Sequence, residues 1–383
     1  MKNQPFDFII VGSGLSGIIC GIELAQLNKK CLILERSHHL TRPLCGEYLT
    51  PKGREILIHL GLSHTLTGFD ALYGMEIVSP SGIRIKTHFP ENQIGLSLNR
   101  KVHQERLHQH FLQLGGSILK EIEIEDITFL SDQVRVKTNQ GFFTSLWLIG
   151  ADGRQSQVAK LAGLKTLPSP HKKVALHCYL KPKHALERFG QMYILPGGDY
   201  IGINPINDNE VNFSMITTSE AIKKAGGIKN LINFWINQQN HLKEQFHNLK
   251  NEEIKSISPI TRRTERITGQ RIALIGDASG FIDPLTGEGM TTALQTAKLL
   301  VDEIKFHSNT QLALNQYEIK RKSEFYQKEK FNLILQSIIR INFLCEIIAI
   351  ILESSDKLKS LFIGIIGNIY SPQIAVKKLF SKN

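Results

Sequence analysis

Arg271–Leu300 reads RIALIGDASGFIDPLTGEGMTTALQTAKLL, and its punctuation decides the fold. A short aliphatic run, Ile272 to Ile275, stops at Gly276-Asp277. A loop holding Pro284, Gly287 and Gly289 follows, and a helix-periodic segment begins near Met290. A strand that runs through a glycine/proline loop into a helix aims backbone N–H groups at one point. The helix start carries about half a positive charge and can hold an anion. Asp277 adds an acceptor at the strand end, suited to a polyol hydroxyl. A tight strand-to-helix turn without a ligand would use the same residues, so the rest of the chain has to choose.

The N-terminus chooses for a ligand. Phe6 to Val11 is a buried-strand run, followed by Gly12-Ser13-Gly14-Leu15-Ser16-Gly17, a helix to about Leu27, and a second apolar strand, Cys31 to Leu34, ending in Glu35-Arg36. This is the dinucleotide fingerprint in its required context of strand, GxGxxG, helix, strand and acid. Gly12 permits the tight turn, Gly14 lets the backbone approach a pyrophosphate, and Gly17 lets helix and strand pack closely. Glu35 can accept from a ribose diol, and Ser13 and Arg36 flank the same turn. One ligand that needs both this motif and the Asp277 loop is FAD, with its ribityl chain and a ring system that turns anionic on reduction.

At 383 residues the chain exceeds what one core usually serves, so two domains are expected. Hydrophobic (42%) and charged (21%) fractions are those of a folded protein rather than a disordered one. The net charge of +11 points to anionic partners: a phosphorylated cofactor, a membrane surface or nucleic acid. No basic run with interleaved aromatics supports the last, and nucleic acid is set aside. Five cysteines (Cys20, Cys31, Cys45, Cys178 and Cys345) form no close pair, which argues against a disulfide framework or a metal site and fits a cytoplasmic location. Phe8 to Ala25 behind Lys2 imitates a signal peptide, but Asp7 and the regular glycines mark it as structure.

After Glu35 the chain leaves the parallel pattern. A polar loop, His38 to Tyr48, contains Arg42-Pro43-Leu44-Cys45-Gly46-Glu47-Tyr48, and Thr50-Pro51 opens a helix closed by Gly61. Leu98-Asn99-Arg100 leads another helix, and a strand from Phe142 to Ile149 enters Gly150-Ala151-Asp152-Gly153. Strand-like stretches fill Lys172 to Thr217, the pattern of an antiparallel sheet with one covered face. The expected architecture is α/β: a Rossmann-like nucleotide domain (1–70, 95–165 and 255–305) interleaved with an α+β substrate domain (71–94 and 166–254). Helices make up 306–383. Phe331 to Leu352 is rich in aliphatics but interrupted by Gln336, Arg340, Asn342 and Glu346, and so fails as a transmembrane helix. Leu358 to Ile369 is also apolar, with Lys357, Lys359, Lys377, Lys378 and Lys382 around it. These helices read either as a cap packed on the nucleotide domain or as a basic, apolar surface that rests on a membrane or admits a lipid.

Three separated motifs, Gly12 to Gly17, Gly150 to Gly153, and Gly276-Asp277 with its Pro284/Gly287/Gly289 loop, together resemble the p-hydroxybenzoate-hydroxylase-like flavoproteins. That family includes aromatic-ring monooxygenases, flavin-dependent halogenases and geranylgeranyl reductases. The resemblance covers about residues 5 to 305. It implies Gly12, Gly14, Gly17 and Glu35 on the ADP half of FAD, Arg100 near the phosphates, and Asp152 with Gly153 at the pyrophosphate region. It also implies Asp277 on the ribityl chain, and Pro284, Gly287, Gly289 and Met290 along the isoalloxazine ring. Cys45-Gly46-Glu47 is similar to the Cys-Gly-Gly loop of geranylgeranyl reductases, with Glu47 in place of the second glycine. The halogenases' paired-tryptophan motif is missing, since Trp147 and Trp235 stand far apart.

The expected function is an FAD-dependent oxidoreductase reduced by NADPH or NADH. Its favoured reaction is monooxygenation of an aromatic or polyketide-like small molecule, which requires water to be excluded. The alternative is hydride delivery to the double bonds of a prenyl or other lipid, with Cys45, Glu47 or Tyr48 as proton-donor candidates. Each of those three reads equally as loop structure. A third reading, of another class, is an FAD-holding scaffold or redox sensor without turnover.

Overall fold

The computed structural model describes residues 5–167, 173–261, 263–281 and 284–381; Lys2, Lys172 and Lys382 lie outside them. Two large sheets organise the chain. The first has eight strands. At its centre Phe6–Val11 pairs in parallel with Cys31–Leu34 on one side and Gly141–Gly150 on the other, which in turn pairs with Ile272–Leu274. Aliphatic runs without polar alternation become such strands when both faces are covered, and Ile9, Ile10, Ile33, Leu148 and Ile149 are wholly inaccessible. Helix α1 (Leu15–Gln26) covers this sheet, as does α3 (Arg100–Gln113), capped by the Asn99 side chain. Between them in sequence lies α2 (Pro51–His59), where Thr50 caps and Pro51 takes the first turn. Helix α4 (Gln157–Leu161) is short and capped by Ser156.

The second sheet has seven strands in the order Lys255–Ile257, Lys173–Leu180, Glu210–Thr218, Tyr200–Asn207, Phe189–Ile194, Gly74–Val78 and Arg84–His88. Five of its six pairings are antiparallel; Phe189–Ile194 runs parallel to Gly74–Val78. Side chains alternate strictly. Leu176, Cys178, Ile201, Phe213 and Met215 face the helical segment α5 (Ser219–Lys224), α6 (Ile228–Gln238) and α7 (Asn240–Gln245). The opposite face carries Ala175, Met192, Ile194, Tyr200 and Ile216, and these pack on Tyr48, Leu285 and the C-terminal helices. The sheet is therefore covered on both faces, not one. The second cover comes from residues after 305, whose place the sequence left open.

Helix α8 (Gly289–Phe306) packs on α1 and on the long α9 (Thr310–Ile339). Thereafter α10 (Asn342–Glu353) and α11 (Asp356–Ile366) lie against the Arg84–His88 strand, and α12 (Pro372–Phe380) returns to α9 and α11. The C-terminal region thus bridges both sheets: α9 belongs to the first, where Tyr317 donates to the Leu274 carbonyl at 2.7 Å, and α10 and α11 to the second. A cap on the nucleotide domain describes only half of it.

Candidate cofactor and substrate site

Strand registers set the site. Val11 lies beside Leu34 and Gly150, and Gly150 beside Leu274, so four parallel strands end level. Gly12, Glu35, Asp152 and Asp277 then emerge at one sheet edge, where open α/β sheets bind ligands. The three glycines behave differently there. A Cβ on Gly12 (φ +99°) would lie 2.5 Å from the Ala151 carbonyl oxygen, and one on Gly17 would overlap the Gly12 carbonyl. A Cβ on Gly14 would meet nothing within 4 Å. Two glycines are therefore demanded by the chain's own packing, and the third faces open space, as close approach of a pyrophosphate requires. No side chain caps α1, so its first amides stay available to an anion.

Around this turn the support is polar and buried. Glu35 accepts from the Ser13 amide (2.9 Å), the Ser13 hydroxyl (2.7 Å) and the Ser37 amide (2.9 Å). Those hydrogen bonds outweigh burial and hold its carboxyl below the ordinary value. The Ser13 carbonyl takes the Gln104 amide at 2.6 Å and faces His108 Nε2 at 3.0 Å, so α3 fixes the turn from behind. Arg36 is exposed.

Asp152 accepts from the Val158 amide at 3.0 Å through one oxygen; the other is buried without a partner, and burial raises its carboxyl. Gly153 follows in a left-handed turn. The Gly276-Asp277 element is brought to the first motif by contact: a Cβ on Gly276 (φ +58°) would strike the Ser16 hydroxyl. Asp277 lies 3.7 Å from Arg154, and its crowded surroundings raise its carboxyl against the pull of Arg154 and Arg100. Pro284 opens a short 3-10 turn, Gly287 (φ +67°) packs against the Tyr48 ring, and Gly289-Met290 begin α8. No side chain caps α8 either, because Glu288 turns aside to an ion pair of 2.8 Å with Lys328 of α9. Open space at Gly14, two uncapped helix starts and the unpartnered oxygen of Asp152 at one sheet edge fit an extended, anionic dinucleotide.

Cys45, Glu47 and Tyr48 part company. Cys45 Sγ takes a hydrogen bond from Arg100 (3.3 Å) and one from the Glu47 amide (3.4 Å). Glu47 is wholly buried in a left-handed conformation (φ 53°), the backbone state a glycine adopts freely. Its carboxylate is gripped by Arg42 in two-pronged fashion at 2.8 and 2.7 Å, by the Arg100 amide at 2.8 Å and by Asn212 at 3.3 Å. Arg42 lies on the Tyr179 ring and also pairs with Glu210 at 3.0 Å, while Asn212 and Asn204 donate to the Cys45 and Gly46 carbonyls. The loop is thus sewn to the second sheet. Tyr48 instead points into the apolar layer with Phe89 and Leu285; it is 8% exposed and its hydroxyl has no partner among the described residues. Burial, reinforced by Glu288, pushes that phenol well above its ordinary value, so it stays protonated.

Sequence reasoning missed Arg42, Asn204, Asn212 and His177, each reaching the site from a loop or from alternate positions of a strand. It also missed α9. Lys328, Asn332 and Gln336, spaced four apart, face inward: Asn332 bonds the Thr286 hydroxyl at 3.3 Å, and Gln336 bonds Asn332 at 2.6 Å. That spacing was the available signal; of the three, only Gln336 was read, as an interruption of an apolar stretch.

Known proteins share this fold. The chain is similar to a digeranylgeranylglycerophospholipid reductase of Methanosarcina acetivorans, 23% identical over 308 residues, 77% of this chain and 74% of the relative. Its fold matches a flavin-dependent brominase with TM-score 0.81 at 17% identity, over 98% of each chain. It also matches the anhydrotetracycline hydroxylase OxyS of Streptomyces rimosus with TM-score 0.74 at 18% identity, over 95% of this chain and 76% of that one. The family model described as an FAD binding domain matches residues 6–329, more than half the chain, and this protein belongs to that family as an FAD-dependent oxidoreductase enzyme.

Proposed function

We propose that the protein is a monooxygenase of an apolar aromatic or polyketide-like molecule, with NADPH or NADH as reductant. The observation that carries this reading is the unpartnered Tyr48 hydroxyl inside the apolar layer between the Pro284–Thr286 turn and the second sheet. A buried phenol with no partner is costly unless a ligand completes it. Kept protonated, it would donate a hydrogen bond to one substrate oxygen, while Met75, Met192, Ile194 and Ile216 of the surrounding layer would exclude water.

FAD, when bound, would supply the electrons and the oxygen chemistry. Gly12 to Gly17, Glu35 and Arg100 would hold its ADP half, Asp152 and Gly153 its pyrophosphate region and Asp277 its ribityl chain. The Pro284–Met290 segment would hold its ring. Glu47 and Arg42 would keep the Cys45 loop closed over the site, which makes Glu47 an anchor rather than a proton donor.

A second reading, reduction of carbon–carbon double bonds, is favoured by the Cys45-Gly46 loop and the digeranylgeranylglycerophospholipid reductase relative. There Tyr48 would deliver the proton. One experiment separates the two. The yellow protein is mixed with NADPH and candidate substrates, with and without oxygen. Oxygen-dependent product with substrate-triggered bleaching supports monooxygenation. A saturated product formed anaerobically with an artificial reductant supports the second reading. The Tyr48→Phe variant should weaken substrate binding in the first case and abolish protonation in the second.

A further inference from the structure

Helices α9 and α10 meet at an elbow with a bend of 114°. Both helices leave large apolar side chains outward. Inside, α9 buries Phe325 and Ile339 together with Arg321, Asn332 and Gln336; outside, it shows Tyr326 (57% exposed), Leu333 and Ile334. On α10 only the small Cys345 and Ala349 are buried, and the larger apolar groups face out. Phe343 is 77% exposed, and Leu344, Ile347, Ile350 and Ile351 share its outward side, while Glu346 turns inward onto Ser79 and Ser81. The elbow itself is anchored by Asn342, which accepts from the Gly197 amide at 3.0 Å, so the exposed residues are held in place. A groove of about 310 Å³ between the helices is lined by Leu333, Ile334, Ile338, Ile341, Leu344 and Lys330. Lys330 and Arg340 stand at this patch, both exposed.

We propose that this elbow docks on the surface of an anionic phospholipid bilayer, with α10 lying in the interface. Charge complementarity selects the occupant. The patch carries Lys330 and Arg340, the acid within it, Glu346, turns inward, and the exposed Glu353 and Asp356 that follow are paired with Lys359, on a chain of net charge +11. A second copy of the chain would bring the cations of both patches, Lys330 and Arg340 twice over, into one interface. Docking is peripheral: no single described helix is long and apolar enough to cross a membrane, and the inner face of α9 is committed to the protein. Through α9 the docked surface would lie about 10 Å, one helix diameter, from the Thr286–Glu288 turn. The proposal is independent of the substrate class, and its test involves no turnover.

The full-length, FAD-loaded protein is floated with vesicles of phosphatidylcholine alone or mixed with phosphatidylglycerol. Binding to the mixed vesicles is expected, weaker by roughly thirtyfold on neutral ones because two surface cations lose their attraction. Phe343→Glu should cut binding by roughly tenfold or more through lost apolar insertion. Phe142→Glu, at another exposed phenylalanine, in the first sheet (59%), should leave it unchanged. Unchanged melting temperatures would show that both variants fold. Absence of wild-type binding, equal loss in both variants, or a dimer in solution that Phe343→Glu dissolves without any vesicle binding would each overturn the proposal.

Discussion

The glycine-turn end of the first sheet and the α9–α10 elbow distribute polarity in opposite senses. At the sheet, aliphatic strands are sealed and charge appears only where strands end, at Glu35, Asp152 and Asp277. At the elbow, amides are sealed and a phenylalanine stands in solvent. The first pattern is closed at the turn, because Ile9, Ile10, Ile33, Leu148 and Ile149 all find partners within the chain. The second is not, since burial of apolar surface is what makes a helix face stable. An exposed apolar face on a firmly anchored backbone is the observation on which the proposed bilayer docking rests.

The largest effect is expected beside the glycine turn, where the Cys45 loop is sewn to the second sheet. Arg42→Ala would leave Glu47 buried with its main partner gone, at a cost of about 4 kcal/mol. Adding Glu47→Gly should restore most of it, because the acid is removed and φ 53° suits glycine. Thermal unfolding of the three variants decides; a single mutant as stable as wild type would refute the latch.

Next comes the turn itself. Gly17→Val should destabilise by about 3 kcal/mol through overlap with the Gly12 carbonyl and should yield colourless protein. Retained yellow colour would mean that the turn tolerates a shift.

Glu23 is the exception that sharpens the comparison. It lies in α1, 2% exposed, with neither oxygen partnered, and burial lifts its carboxyl from 4.5 to about 7. The folded state holds the proton longer than the unfolded one. Its contribution is therefore intact below pH 4.5 and is lost as pH rises through about 7. Glu23→Gln should gain stability over wild type across that window, reaching about 3 kcal/mol above pH 8. Parallel pH–stability curves for the two proteins would sink the assignment.

The smallest effect belongs to the elbow. Ile350→Ser, at a position 58% exposed, should change stability by less than about 0.5 kcal/mol in denaturant titration. A loss several times larger would mean that the face is covered after all.

How much of this was legible beforehand differs by element. Gly12 to Gly17 and the Gly276-Asp277 loop could be read because a backbone turn with no room for a side chain admits one residue type. The fit of Gly17 against Gly12 is the physical counterpart of that spelling. The Asn99 and Thr50 caps were equally readable, since capping is a local bond. Illegible were the partners of Glu47: Arg42 is five residues away, but Asn212, and Glu210 that shares Arg42, come from a strand more than 160 residues later. The inward face of α9 was misread for a related reason. Asn332 and Gln336 look like interruptions until the turn they bond is known to lie beneath them.

What the sequence determined by itself was everything set by short-range geometry: the glycine turn, the helix starts, the alternation of the second sheet and hence the family. What only the tertiary structure decided was which long-range partner each polar side chain found. That made Glu47 an anchor, left Tyr48 alone in an apolar layer, and turned the greasy side of α10 outward. Local rules fix backbone conformation within a few residues, whereas hydrogen-bond and ion-pair partners are chosen by how distant strands and helices stack.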